Sequence, residues 1–131
     1  MDYVSNYELS EQEESRAREI LREIHDKTKL GIEAGKGPFY AELYDDKGNF
    51  VSGASNSVIE TRCALNHAEI NTLNLAFKKY GNYDLSGYGL TLYVNAEPCI
   101  MCLGAIMWSG VKKIVFSVPS SEVERITGFD E

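Results

Sequence analysis

The sequence predicts an α/β protein in which a mixed β-sheet lies between helices, forming a three-layer α/β/α sandwich. Three observations lead to this fold class. An amphipathic helix pattern follows residue 10, two short strand patterns flank residues 45–48, and a strand–helix–strand series spans residues 88–118. A hairpin supplies antiparallel strands and a strand–helix–strand crossover joins parallel ones, so the sheet is expected to be mixed.

The first predicted element is the amphipathic helix. Ser10 and Glu13 have capping-box spacing, in which each side chain accepts a hydrogen bond from the other residue's backbone N–H. Gly31 is of a type that often ends a helix. Between them, five residues recur at helical spacing and form the core-facing stripe: Ala17, Ile20, Leu21, Ile24 and Thr28.

A hairpin and a second helix are predicted next. The segments FYAELY and NFVSGAS flank the turn DDKG and have the composition of two short strands. The segment NSVIETRCALN is expected to be a loop. From His67 to about Tyr80 the helical pattern returns, with Ile70, Leu73 and Phe77 on one face.

The last third of the chain supplies the crossover unit. YGLTLYV is predicted to be a buried strand, PCIMCLGAIMWSG a third helix that begins at Pro98, and KKIVFSV a further strand, with a closing helical turn in SSEVERI. The third helix is apolar on almost every side. Such a helix is expected to be buried on more than one side, either in a central layer or at a subunit interface.

Composition indicates one globular domain over residues 1–131. The 131 residues are 44% hydrophobic and 25% charged, and the net charge of −7 disfavours nucleic acid and anionic membranes as partners. The first residues, MDYVSNYELS, lack the pattern of a secretory signal, and no stretch approaches the roughly 20 apolar residues of a membrane span. Three cysteines without an export signal favour reduced thiols, so a cytoplasmic location is expected.

The segment NAEPCIMC contains two cysteines three positions apart, Cys99 and Cys102. Taken alone, this spacing is compatible with a redox pair, half of a zinc site or two buried small side chains. His67 and Glu69 stand upstream, at the predicted start of the second helix. His67 with the two cysteines makes a three-ligand set suited to zinc, and three protein ligands leave a fourth position for water, as in catalytic zinc sites. Glu69 would then move protons between that water and a leaving nitrogen.

His-x-Glu followed by Pro-Cys-x-x-Cys is the signature of zinc-dependent nucleobase deaminases. The sequence resembles the cytidine deaminase superfamily here, and within it the branch of guanine deaminase, fungal-type cytosine deaminase and tRNA adenosine deaminase. The resemblance follows the order of elements over residues 10–131 and is strongest over residues 67–116. It implies a cytidine deaminase-like fold, a Zn²⁺ cofactor, zinc ligation by the histidine and two cysteines, and a proton-shuttling Glu69.

The same resemblance extends to the substrate pocket. It implies that Asn56 holds the base, that Phe39 lines the pocket, and that Ala68 and Trp108 belong to the substrate site. The residues themselves leave alternatives open: Asn56 also suits a turn, and the two aromatic residues suit core packing equally well.

Three departures from the branch bear on substrate identity. Tyr40 stands where the branch has glycine in its P-F-G-A segment, and residues 63–66 replace the usual D-P-T-A before the histidine. Relatives also continue beyond the final GFDE, so the segment that closes the pocket in guanine deaminases is expected to be missing. None of these changes affects the expected metal chemistry.

Three functions are compatible with these features: a deaminase of a free base or nucleoside, an RNA deaminase, and a noncatalytic zinc-stabilised module. Glu69 disfavours the module, because a structural zinc site needs no proton shuttle. Glu122, Glu124, Asp130 and Glu131, against Arg125 alone, disfavour RNA. The sequence therefore predicts hydrolysis of a C–N bond in a cyclic amidine, with guanine first and cytosine second among small heterocyclic amines. The apolar third helix predicts a homodimer or larger oligomer.

Overall fold

In this computed structural model, the described part of the chain, residues 3–119 and Ser121, contains five β-strands and four longer or shorter α-helices. The strands are β1 (Val4–Ser5), β2 (Tyr40–Tyr44), β3 (Phe50–Ser55), β4 (Thr91–Ala96) and β5 (Lys113–Val118). The helices are α1 (Glu11–Glu33), α2 (Val58–Thr61), α3 (Ala68–Tyr80) and α4 (Ile100–Ser109), and a 3₁₀ turn spans Ser86–Tyr88.

The strands form one mixed sheet in the order β1-β5-β4-β2-β3. The predicted hairpin is confirmed, because β2 and β3 pair antiparallel. The predicted crossover is also confirmed, because β4 and β5 are parallel and α4 connects them. Strand β2 pairs antiparallel with β4, which joins the hairpin to the crossover unit. The predicted mixed α/β sheet is therefore correct.

Helices cover both faces of this sheet, as the predicted sandwich requires. Residues along the strands alternate between the two faces. Leu43 and Leu92 point into the core beneath α3 and α4, whereas their neighbours Tyr44 and Tyr93 pack against α1. Each face thus has its own core, and the face that carries α3 and α4 also carries the predicted site.

Helix α1 begins as predicted and ends later than predicted. The N–H of Glu13 donates to Ser10 Oγ at 3.2 Å, and the N–H of Ser10 donates to Glu13 Oε1 at 3.1 Å, so both halves of the capping box form. The helix continues through Gly31 to Glu33. Gly35, with φ of 86°, adopts the left-handed conformation that favours glycine just beyond the helix end. Gly35 therefore performs the terminating role that was assigned to Gly31.

Two elements were not predicted. The segment expected to be a loop contains the short helix α2, which ends at Arg62 in a left-handed conformation (φ 54°). Strand β1 pairs antiparallel with β5 through Val4 and Phe116. Two residues are too few for an alternating pattern, so this edge strand leaves no signal in the sequence. The predicted turn in SSEVERI lies almost entirely outside the described residues.

Helix α4 differs from its prediction in two respects. It begins at Ile100 with Cys99 as its N-cap, rather than at Pro98. Within the chain it is buried on one side, since Ile100 is 88% exposed and Trp108 is 86% exposed. The described residues of a single chain therefore do not bury α4 on several sides. Over residues 3–119, no helix has both the length and the apolar character required to cross a membrane.

Candidate zinc centre and substrate pocket

The starts of two helices bring the three predicted metal ligands together. His67 is the N-cap of α3, Cys99 is the N-cap of α4, and Cys102 lies in the first turn of α4. Both sulfur atoms lie 3.6 Å from Nδ1 of His67, and all three ligand atoms lie within 4.8 Å of one another. Helix starts favour thiolate over thiol because their unpaired N–H groups and dipole attract negative charge.

The geometry of this group fits a tetrahedral zinc ion. With Zn–S of about 2.3 Å and Zn–N of about 2.0–2.1 Å, a tetrahedral ion places its sulfur and nitrogen ligands about 3.6 Å apart. The two measured separations between sulfur and His67 Nδ1 have this value. One imidazole and two thiolates are also donors that zinc prefers. His67, Cys99 and Cys102 could therefore hold Zn²⁺ with one coordination position open.

Glu69 occupies the second position of α3, two residues after His67, and is 5% exposed. The backbone of His67 is extended (φ −68°, ψ 159°), so its side chain does not follow the helical direction of the residues after it. Side chains two apart on an ideal helix diverge, so a cap position such as that of His67 is what allows it and Glu69 to serve one site. The carboxylate of Glu69 is not part of the ligand group among the described residues.

A cavity of about 610 Å³ opens beside His67 and Cys99. The predicted pocket residues Phe39 and Asn56 both line it, together with Pro38. This volume lies in the ordinary range for small-ligand sites, which is about 300–1,000 Å³. The structure thus brings the metal ligands, the aromatic wall and the asparagine to one cavity.

Two predicted substrate residues, Ala68 and Trp108, and the predicted proton shuttle Glu69 are not among the described residues that line the cavity. Ala68 is fully buried in the core beneath α3, and Trp108 is 86% exposed near the C-terminal end of α4. Trp108 is separated from Cys99 by two helical turns, so within one chain the helix itself carries it away from the metal end.

The side-chain amide of Asn56 has a defined orientation. Its Oδ1 accepts a hydrogen bond from the backbone N–H of Val58 at 3.0 Å. A backbone N–H can only donate, so the oxygen of the amide points toward Val58 and Nδ2 is its donor on the other side. A base bound in the cavity would meet Asn56 as a hydrogen-bond donor.

Sequence reasoning missed the apolar part of the pocket. Five side chains from α2, the following loop and the start of α4 contribute it: Val58, Ile59, Leu65, Ile100 and Met101. Ile59 is 84% exposed and Leu65 is 59% exposed, so the apolar surface extends to the mouth of the cavity. The sequence did contain a signal for this surface. Two apolar pairs, Val58–Ile59 and Ala64–Leu65, lie in the segment expected to be a loop, where apolar side chains are not needed for core packing.

Comparisons with known proteins agree with this geometry. Residues 14–118 match the family described as the cytidine and deoxycytidylate deaminase zinc-binding region. A guanine deaminase from Bacillus subtilis is 34% identical over 77% of this chain, and a probable cytosine deaminase from Schizosaccharomyces pombe is 29% identical over 95%. The chain spans 63% and 71% of these two relatives, respectively. A tRNA-specific adenosine deaminase from Bacillus subtilis is 35% identical over 73% of the chain and 58% of its own length.

Solved structures give the same result. The guanine deaminase from Nitrosomonas europaea superposes with a TM-score of 0.79 and 38% identity, over 84% of this chain and 62% of that one. The guanine deaminase from Bacillus subtilis superposes with a TM-score of 0.77 and 30% identity, over 84% and 69%. The family zinc-binding region and the His67, Cys99 and Cys102 group together identify the cofactor as Zn²⁺. The chain therefore belongs to the cytidine and deoxycytidylate deaminase family, in agreement with the resemblance of its His-x-Glu and Pro-Cys-x-x-Cys motifs.

Proposed function

We propose that the protein hydrolytically deaminates a small nucleobase or nucleoside, with guanine as first choice and cytosine as second. One observation carries this proposal. The cavity beside the zinc ligands is lined by twelve described residues, none of which is an aspartate, glutamate, lysine or arginine. Such a lining suits a neutral heterocycle, whereas recognition of a phosphate favours cationic side chains.

Phe39, Asn56, the metal ligands and Glu69 have distinct parts in the proposed reaction. Phe39 supplies an apolar face for the ring, and Nδ2 of Asn56 donates to an acceptor on the edge of the base. His67, Cys99 and Cys102 would hold the zinc ion, which would lower the pKa of a bound water to about 7. Glu69 would move both protons of the attacking water, one to the ring nitrogen and one to the exocyclic nitrogen. The water oxygen bonds to the ring carbon, the exocyclic C–N bond breaks, and ammonia leaves as that carbon becomes a carbonyl.

Guanine comes first because of the relatives. Guanine deaminases are 30–38% identical to the chain, and a protein of the same fold and 38% identity was solved in complex with 2,6-diaminopurine. Trp108 no longer supports a purine, because within one chain it lies outside the cavity lining. The preference for guanine thus depends on similarity and on a cavity large enough for a bicyclic base.

A second candidate is deamination of adenosine in RNA. It is favoured by relatives named tRNA-specific adenosine deaminase, at 35% and 42% identity over 73% and 63% of the chain. The uncharged pocket and the net charge of −7 oppose it, since RNA affinity depends on cations near the phosphates.

The discriminating experiment is a comparison of kcat/KM for ammonia release from guanine, cytosine, their nucleosides and an adenosine-containing RNA stem-loop. Zinc-loaded wild type and Glu69→Gln are assayed in one buffer. We expect the highest value for a free base, with guanine ahead of cytosine, and a large loss in the variant. Preference for the stem-loop would overturn the small-molecule proposal, and preference for cytosine would overturn only its purine part.

We also propose a homodimer or larger oligomer with α4 at the interface. Ile100, Met107 and Trp108 are 88%, 70% and 86% exposed, and this apolar helix surface begins at the mouth of the cavity. Light scattering should give a multiple of 14.6 kDa for the wild type and a lower mass for a Met107→Ser, Trp108→Ser variant. The control is Leu30→Ser on α1, another exposed apolar residue. A monomeric wild type at micromolar concentration would contradict this proposal.

We also propose a cytoplasmic location, on the basis of the three cysteines. Cys63, Cys99 and Cys102 form no disulfide with one another, which suits a reducing compartment. Fractionation of the native host, with the protein detected by antibody, should recover it with the soluble cytoplasmic markers.

A further inference from the structure

We propose that Asn95 is a positioning residue that fixes the wall of the substrate pocket relative to the metal-ligand loop. The inference rests on the proposed function, because it concerns the same pocket. Asn95 is the fifth residue of β4 and precedes Cys99 by four positions. It is not among the described residues that line the cavity, and it acts through Pro38 and Phe39, which are.

The side-chain amide of Asn95 makes two hydrogen bonds to the chain on either side of Phe39. Its Nδ2 donates to the carbonyl oxygen of Pro38 at 2.7 Å, and its Oδ1 accepts from the backbone N–H of Tyr40 at 3.1 Å. A carbonyl can only accept and a backbone N–H can only donate, so these partners determine the orientation of the amide.

These two bonds replace a missing backbone pair. The described pairing of β2 with β4 ends at Ala41 and Val94, and the next antiparallel position would join Tyr40 to Asn95. There the side-chain amide supplies one donor and one acceptor, the same groups that a peptide unit offers to a β-ladder. The connection between the two strands is thereby extended by one residue toward the pocket.

The backbone of Phe39 is held from the opposite side as well. Its carbonyl oxygen accepts a hydrogen bond from the N–H of Asn56 at 3.1 Å. Phe39 therefore lies between two anchors, and one of them is the residue proposed to bind the base. Loss of the Asn95 amide would loosen the aromatic wall and the position of Asn56 together.

The backbone of Asn95 is also hydrogen-bonded on the side that leads to the metal ligands. The carbonyl oxygen of Asn95 accepts from Ser117 Oγ at 2.8 Å, and the N–H of Glu97 donates to the carbonyl of Val118 at 2.7 Å. The Glu97 bond joins two backbone groups, so it holds the segment that leads to Cys99 on the end of β5 whichever side chain stands at position 117. The side-chain amide of Asn95 then sets the distance between the pocket wall and this segment.

Asparagine is the residue type that this role requires. Aspartate of the same shape keeps the acceptor for Tyr40 but places a carboxylate against the carbonyl of Pro38, which cannot donate. Alanine removes both bonds. Ser117→Ala is the matched control, because it removes the bond to the backbone of Asn95 and leaves the side-chain amide in place.

The first arm of the test is kinetic. In Asn95→Asp and Asn95→Ala we expect KM for the best base to rise roughly tenfold, with kcat within about threefold and zinc near one per chain, because two hydrogen bonds support binding rather than proton transfer. Ser117→Ala should keep KM near the wild-type value. An unchanged KM in both Asn95 variants, or a loss of zinc in them, would overturn the proposal.

The second arm needs no substrate and therefore separates this inference from the proposed function. Amide hydrogen exchange is compared for peptides covering residues 37–41 and 54–57 in wild type, Asn95→Ala, Asn95→Asp and Ser117→Ala. We expect faster exchange in both peptides in the Asn95 variants and wild-type rates in Ser117→Ala. Equal rates in all four proteins would overturn the positioning role. If exchange is faster in the Asn95 variants but the wild type deaminates no base, the positioning role of Asn95 stands and only the proposed function is rejected.

Discussion

Two glutamates of the described residues, Glu42 and Glu69, are buried on opposite faces of one sheet, and we assign them different roles. Glu42 is fully buried on the α1 face, and Glu69 is 5% exposed at the start of α3. Burial of a carboxylate is costly without compensating partners, so each residue needs an explanation. For Glu42 the explanation is a set of hydrogen-bond donors, and for Glu69 we propose a role in the reaction.

Glu42 is surrounded by donors and lies away from the cavity. Its Oε2 accepts from Lys27 Nζ and from the hydroxyl of Tyr40 at 3.0 Å, and its Oε1 accepts from the hydroxyl of Tyr44 at 3.1 Å. Burial, followed by the charge of Glu42, raises the pKa of Tyr40 and Tyr44 well above the usual value. Both phenols therefore stay protonated and continue to donate. This arrangement holds α1 onto the sheet.

Glu69 lies at the same helix start as a candidate metal ligand. It follows His67 by two residues, at a helix start that faces the thiols of α4. This position at the metal-ligand end of α3 supports the proposed role of Glu69 in proton transfer. The comparison teaches that burial alone does not distinguish a structural glutamate from one proposed to be catalytic.

The largest expected effect concerns the metal on the Glu69 face. A Cys99→Ala, Cys102→Ala variant should fall from about one zinc per chain to almost none and lose all deaminase activity, because one imidazole cannot hold the ion. Elemental analysis of the purified protein measures this. Cys63→Ala is the control, since Cys63 lies outside the ligand group. Full zinc content in the double variant would contradict the assignment.

The second effect sharpens the contrast on the other face. Glu42→Ala should lower the free energy of unfolding by about 2–4 kcal/mol, since it leaves the buried hydroxyl of Tyr44 and the half-buried hydroxyl of Tyr40 without their acceptor. Urea denaturation measures the loss. The zinc content and kcat of the folded variant should remain within a few-fold of wild type, and a collapse of kcat at full zinc would assign Glu42 a catalytic role.

A smaller loss is expected from the partner of Glu42. The side chain of Lys27 is 45% exposed, so water can partly replace it beside the carboxylate. Lys27→Met should therefore destabilise the protein by about 1 kcal/mol, less than Glu42→Ala. Urea denaturation of the two variants in parallel checks the order. A larger loss in Lys27→Met would show that the ion pair, and not the tyrosine hydroxyls, dominates this face.

The smallest effect concerns a third glutamate, which is exposed. The backbone N–H of Ser10, followed by its side chain, lowers the pKa of Glu13 below its ordinary value of 4.5. A lowered folded-state pKa contributes stability above the ordinary value, and this contribution is lost as the pH falls below it. Glu13→Gln keeps an acceptor for Ser10 without the titration. The Tm advantage of wild type over Glu13→Gln should shrink between about pH 5 and pH 3, and a constant difference would contradict the capping role.

Much of the fold was predictable because it depends on local patterns. The capping box of α1, the hairpin around Asp45 and the crossover through α4 each follow from a few neighbouring residues. The zinc group was predictable for a different reason. Histidine and cysteine at metal-ligand spacing have few other uses together, so His67, Cys99 and Cys102 identified one another across 32 and 35 positions.

The remaining features depend on three-dimensional placement. Trp108 was assigned to the substrate site by similarity, but two turns of α4 carry it to the exposed end of the helix. Glu42 was overlooked because a single glutamate in FYAELY looks like the polar side of a strand, and only the packing of α1 shows that this side is covered. The side-chain amide of Asn95 bonds to Tyr40 and Pro38, which precede it by 55 and 57 positions, so no local sequence pattern indicates these bonds.

The most direct test of the account is turnover of the best substrate by Glu69→Gln and Glu42→Gln, each at full zinc content. Glu69→Gln should keep its zinc and its Tm while kcat falls by ~10² to 10⁴-fold, because general acid–base catalysis is lost. Glu42→Gln should lose stability and keep kcat within a few-fold of wild type. Turnover by zinc-loaded Glu69→Gln within a few-fold of wild type would contradict the central claim that this glutamate is the proton shuttle.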